Sequence, residues 1–128
     1  MLFRSPLHVA IVVGVDPLTL LASQAIAPLD QDELEIAGAL QGRSLPVVKC
    51  ATSDLLVPAE AEIVVEGRIL PKVREPEGPF GDHLGYYAQT HEFPFLKLAA
   101  IHHRKDAIWP FTTVGRPPQE DKIGRAHV

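Results

Sequence analysis

Glu77 and Asp82 are two carboxylates whose spacing could do chemistry together. They flank Gly78-Pro79-Phe80-Gly81. Two glycines let backbone approach a ligand closely, and Pro79 stiffens the segment. Carboxylates held on one stiff loop can take different proton affinities, so that one donates a proton while the other stays charged. On spacing alone, a surface turn carrying two solvated acids remains the commoner reading. Glu33 is a third candidate. It falls at the start of a helical pattern, where a carboxylate caps N–H groups or binds a cation, and capping is the more ordinary role. Asp30, Asp32 and Glu35 lie close by; that local acidity suits a metal site and a solvated first turn equally.

The remaining chemistry-bearing residues say less. The chain has six histidines, His8, His83, His91, His102, His103 and His127. None shows HExxH or a Cys/His zinc spacing, and none is assigned as a metal ligand. His83 adjoins Asp82 and could orient it. The single cysteine, Cys50, follows an apolar stretch and reads as packing. No GxSxG, P-loop or GxGxxG occurs.

These residues need elements to position them. Residues 9–15, VAIVVGV, are apolar on both faces and read as a buried strand. Asp16-Pro17 is an N-cap followed by proline at the first helical position, predicting a short helix over 17–24. Asp30 and Glu33 have capping-box spacing, and Leu34, Ala37 and Leu40 recur at helical intervals. A second helix is expected over 31–41, stopped by Gly42. Residues 45–51, 62–70, 95–103 and 107–113 read as strands. The prolines clustered at 71–79 and 117–118 belong to ordered loops or strand edges. The expected class is α+β with a partly closed sheet rather than a doubly wound fold.

Composition narrows the function classes. The chain has 128 residues, enough for one domain, and 46% are hydrophobic. A net charge of −4 with scattered Lys and Arg argues against a nucleic-acid surface. One cysteine excludes an internal disulfide and fits a reducing compartment. No signal-peptide pattern opens the chain, and no apolar run approaches the roughly 20 residues of a membrane helix. A cytoplasmic protein without an integral membrane segment is expected. Residues 123–128 read IGRAHV. The string ATC GGA AGA GCA CAC GTC encodes them and matches a common sequencing-library adapter, so they are expected to be a non-native tail; a native tail is the plainer alternative.

Several stretches resemble the UbiD family of decarboxylases in the right order: VAIVVGVDPLTLLAS, ELEIAGALQG, LPVVKCATSDLLVPAEAEIVVEG, EPEGPFGDHLGYY and HRKDAIWPFTTVGRPPQED. EPEGPFGDHLGYY is the most specific. The resemblance implies a split β-barrel type of flavin-binding core and reversible, non-oxidative decarboxylation of aromatic, heteroaromatic or α,β-unsaturated carboxylic acids. It implies prenylated FMN as cofactor, bound with a divalent metal, usually Mn2+, and with K+. Residue by residue, Asp82 matches the family's proton donor and Glu77 the first carboxylate of its Arg-Glu-Asp/Glu set. Glu33 matches the carboxylate that ligates the metal at the cofactor phosphate, and Ala22, Ser23 and Ala25 fall near the potassium-binding backbone.

The family's catalytic arginine, and the asparagine and histidine that complete its metal site, lie upstream of the matched region. Residues 1–122 are therefore expected to be a central part of a larger, homo-oligomeric enzyme, inactive alone. Which acid is the substrate stays open among ubiquinone-pathway 4-hydroxybenzoates, simple phenolic acids and heteroaromatic acids. Two alternatives remain: a non-catalytic flavin- or partner-binding module, and a metal-dependent hydrolase using Asp82, His83 and Glu77.

Overall fold

The computed structural model describes residues 4–81 and 86–112. Its centre is a three-stranded antiparallel sheet of β1 (Leu7–Val13), β4 (Ile63–Ile69) and β7 (Leu96–His103), in the order β1-β4-β7. β1 is the predicted first strand moved two residues earlier. It ends at Gly14, whose φ of +74° turns the chain, and both Val13 and Gly14 carbonyls accept the Glu62 N–H. A side chain at Gly14 would press on Glu62. β4 is the middle strand and holds the buried pair Glu66 and Gly67. The β4–β7 register slips there: Glu66 faces Ala100, whereas Gly67 faces Leu98. Such a bulge brings backbone close. A Cβ on residue 67 would lie 2.6 Å from the Lys97 carbonyl, so only glycine fits without a shift.

Two helices lie between β1 and the next strands. α1 (Pro17–Ala22) has the predicted Asp16 cap, with the carboxylate accepting from the N–H groups of Leu18 and Thr19. α2 (Glu33–Gln41) packs on α1 and ends at Gly42, with φ +67° as expected of a C-cap. Its N-cap differs from the prediction: Asp32, not Asp30, accepts the Leu34 N–H at 2.8 Å. The asparagine-like reach of an aspartate serves N2 best from the position immediately outside the helix.

Two small ribbons complete the description. β2 (Val47–Lys49) pairs with β3 (Leu56–Pro58), and β5 (Glu75–Glu77) with β6 (His91–Phe93). β3, β5 and β6 are not among the predicted strands. Residues 107–112 of the predicted last strand are not strand; the Ile108 N–H instead bonds the Glu62 carboxylate at 3.0 Å. The class is α+β, and the sheets stay open, with no closed barrel among the described residues. The predicted tail, 123–128, lies outside them. No helix among the described residues is long and apolar enough to cross a membrane.

Candidate functional site

Glu77 ends β5, exposed, directly opposite His91. The following Gly78–Pro79 peptide is cis, and Gly78 has φ +98°. A Cβ there would lie 3.1 Å from the Gln89 carbonyl, so a side chain would strain both the backbone and its neighbour. The two strands then stay together: the Ala88 N–H donates to the Phe80 carbonyl at 2.8 Å, and Gly81 bridges Tyr87. Asp82, the next residue in the chain, and His83 lie outside the described residues. The structure thus places Glu77 and leads the chain, paired on both sides, to the residue before Asp82.

Glu33 is the first residue of α2 and is exposed, so the Asp32 cap leaves its carboxylate free for another partner. It lines a cavity of about 180 Å³ together with Thr19 and Ser23 of the α1 region and Pro58 of β3. Ser23 donates its hydroxyl to the Leu20 carbonyl at 2.7 Å. Ala22 is buried, whereas Ser23 and Ala25 are exposed. Glu77 does not line this cavity, and α2 makes no substantial contact with β5 or β6. The cavity is too small to enclose a flavin, since ligand pockets usually start at about 300 Å³. Among the described residues no three His, Cys, Asp or Glu side chains converge on a metal position. Glu33 offers one ligand where a hard divalent ion takes about six. The described residues therefore supply a wall and a single carboxylate, not a complete metal or cofactor site.

One functional-type residue escaped the sequence reading. Glu66 is 2% exposed, and its carboxylate accepts from the Ala51 N–H at 2.9 Å, the Thr52 N–H at 2.7 Å and the Thr52 hydroxyl. The His102 imidazole approaches to 3.1 Å from β7. The Thr52 hydroxyl bond, followed by the backbone donors and the His102 charge, outweighs burial and holds the Glu66 carboxyl below its ordinary 4.5. Burial, and then the Glu66 charge, pushes the neighbouring Cys50 thiol above its ordinary 9.0. A buried thiol shifted in that direction carries little thiolate, in keeping with the packing role read from the sequence. The available signal was a carboxylate following the apolar Ile63-Val64-Val65 in mid-strand, which cannot be buried without donors. Asp16 forms a second network: its carboxyl is held below its ordinary 3.8, first by the Thr19 hydroxyl, and it also accepts from Gln41 Nε2 at 2.8 Å.

The family profile described as the 3-octaprenyl-4-hydroxybenzoate carboxy-lyase Rift-related domain of UbiD matches residues 3–117. The chain belongs to the UbiD family. An uncharacterized Synechocystis relative is 44% identical over 117 residues, covering 91% of this chain and 23% of its own length. Among solved UbiD structures, an evolved dimeric form of the UbiD-class enzyme HmfF from Pelotomaculum thermopropionicum, in complex with prenylated FMN, is 51% identical with a TM-score of 0.75. That match covers 81% of this chain and 24% of HmfF. Vanillic acid decarboxylase from Sedimentibacter hydroxybenzoicus, in open form, is 40% identical with a TM-score of 0.70, covering 81% and 23%. The chain thus spans about a quarter of the length of the UbiD relatives it matches.

Proposed function

We propose that this chain forms part of the active site of a prenylated-FMN-dependent decarboxylase acting on aromatic or α,β-unsaturated carboxylic acids. The observation that carries the reading is the paired ribbon that fixes Glu77 and runs to Gly81, immediately before Asp82, in a chain 51% identical to a UbiD-class enzyme solved with prenylated FMN. In this reading Asp82 delivers a proton to the carbon that carried CO2. Glu77 is, by resemblance, the other carboxylate of the catalytic set, five residues earlier in the chain. The cofactor, when bound, supplies the electron sink that loss of CO2 from an sp² carbon requires. Glu33 serves as one ligand of a divalent metal, Mn2+ by resemblance, with K+ nearby; the other ligands come from outside the described residues. Alone, the chain is inactive in this reading, because by resemblance the family's catalytic arginine and the other two metal ligands lie upstream of the matched residues.

The test is a chimera in which this chain replaces the segment of the Sedimentibacter vanillic acid decarboxylase on which it superimposes. Flavin retained through gel filtration shows that the chimera assembles. CO2 release from vanillic acid is then expected, and Asp82→Asn should lower it by about 10²–10⁴-fold with flavin retained, the usual effect of losing a general acid. Undiminished turnover in the Asn variant overturns the role given to Asp82.

A further inference from the structure

The carboxylate of Glu77 rides on a lightly supported part of the fold. β5 and β6 have three residues each and make no substantial contact with any other element. An isolated two-stranded ribbon is marginal in water. Pro76, in the middle of β5, has no N–H and lies opposite Glu92. The exchange of ladder bonds therefore falls to Glu75 with Phe93 and Glu77 with His91, and in that alternation the Glu92 carbonyl turns away from β5 and is open to another donor.

One side chain reaches that carbonyl. Arg74, the residue just before β5, donates through Nη1 to the Glu92 carbonyl at 2.9 Å. The guanidinium spans from the root of one strand to the middle of the other. At the far end the ribbon is closed by the Ala88–Phe80 backbone bond and the Gly81–Tyr87 bridge. Glu77 sits between these fastenings, and the Arg74 clasp is the one made by a side chain among the described residues.

We propose that Arg74 is a positioning residue for Glu77: it clasps β5 to β6 through the Glu92 carbonyl and so fixes where the Glu77 carboxylate points. This rests on the reading that Glu77 works in a decarboxylase site. Among the described residues the Arg74 guanidinium bonds the Glu92 carbonyl and no carboxylate. Its contribution is orientation, and small misplacements of a reacting group cost rate steeply.

The test combines kinetics in the vanillic acid decarboxylase chimera with amide hydrogen exchange on the full chain. Arg74→Gln should lower kcat by roughly 10- to 100-fold, with KM and flavin retention unchanged. Arg74→Lys, which can still donate to the carbonyl, should recover most of the loss. In the chain itself, Arg74→Gln should speed exchange at the Glu77 and Phe93 amides and leave β4 as it was. Wild-type kcat in Arg74→Gln beside an inactive Glu77→Gln overturns the clasp and leaves the site reading standing. Full activity in Glu77→Gln overturns both. A fall in flavin retention and a rise in KM for Arg74→Gln, unrepaired by lysine, would mean a general folding role and also overturns the proposal.

Discussion

At position 66 a carboxylate occupies the middle of the central strand, where an apolar side chain would be the default. It is tolerated because four donors meet it: two N–H groups, one hydroxyl and an imidazole. Its proton affinity is lowered in the folded chain, so the sign of the pH effect follows. The stabilisation it contributes is fully present above its ordinary value of 4.5 and is lost as pH falls through the lower folded-state value. Asp16 adds a loss of the same sign below 3.8. Replacing Glu66 with Gln should lower the thermal midpoint at pH 7 by several degrees, because an amide cannot accept all these donors and must turn its own N–H toward one of them. The same variant should flatten the acid limb of a stability-against-pH curve below pH 4.5; an unchanged limb would mean that other carboxylates drive acid unfolding. At this scale the sequence was informative where a motif is local. EPEGPFGDHLGYY puts its acids within a few residues, whereas the partners of Glu66 lie 14 and 15 residues earlier in a turn that no spacing rule connects to β4.

At the start of helix α2 the capping residue and the proposed metal ligand are adjacent. Asp32 holds the Leu34 N–H, and Glu33 beside it makes no capping bond. Asp32→Ala should therefore cost about 1 kcal/mol of stability and spare any cofactor. Glu33→Ala should change stability by less, about 0.3–1 kcal/mol from the lost charge at the helix N-terminus. In the decarboxylase chimera, however, it should release metal and flavin together. Thermal melts and flavin occupancy after gel filtration, read side by side, check this; the opposite pattern makes Glu33 a plain structural acid. Elements with strong local patterning were legible: the Asp16-Pro17 start, the Gly42 stop, β1 and β4 with their β-branched runs, and β7 with its mix of apolar and polar residues. The short ribbons were not. β5 contains Pro76, which counts against a strand by every local rule, and it forms because the ladder can skip that residue. Residues 107–112 carry strand-like composition, yet the Glu62 carboxylate captures the Ile108 N–H and Arg104, and the chain leaves the sheet.

For the whole molecule, what is buried is small beside what is exposed. Among the described residues the buried apolar side chains are Ala22, Ala37, Cys50, Val57 and Pro58, all short. Ile26, Leu29, Trp109 and Phe111 stand in solvent, Ile26 and Leu29 as fully as in an extended chain. β1 and β7 are both edges of the central sheet among the described residues, each with unpaired backbone groups. Surfaces of this kind promote association, through apolar contact and through strand pairing alike. The chain by itself should therefore bind a hydrophobic dye strongly and self-associate at micromolar concentration. It should release no CO2 from vanillic or related aromatic acids, even with prenylated FMN, Mn2+ and K+ supplied. The catalytic part of that expectation follows from the resemblance: the family's arginine lies upstream, and Glu77 and Asp82 without it lose both orientation and electrostatic complement. Among the described residues Glu33 belongs to no group of three His, Cys, Asp or Glu ligands, which leaves a divalent ion mostly hydrated. Gel filtration with light scattering, dye fluorescence and a CO2 assay on the purified chain decide it. Monomeric behaviour with low dye binding would show that the exposed apolar residues need no cover. Cofactor-dependent CO2 release would show that the chain's own groups suffice for the chemistry, and the assignment of missing partners would then be wrong.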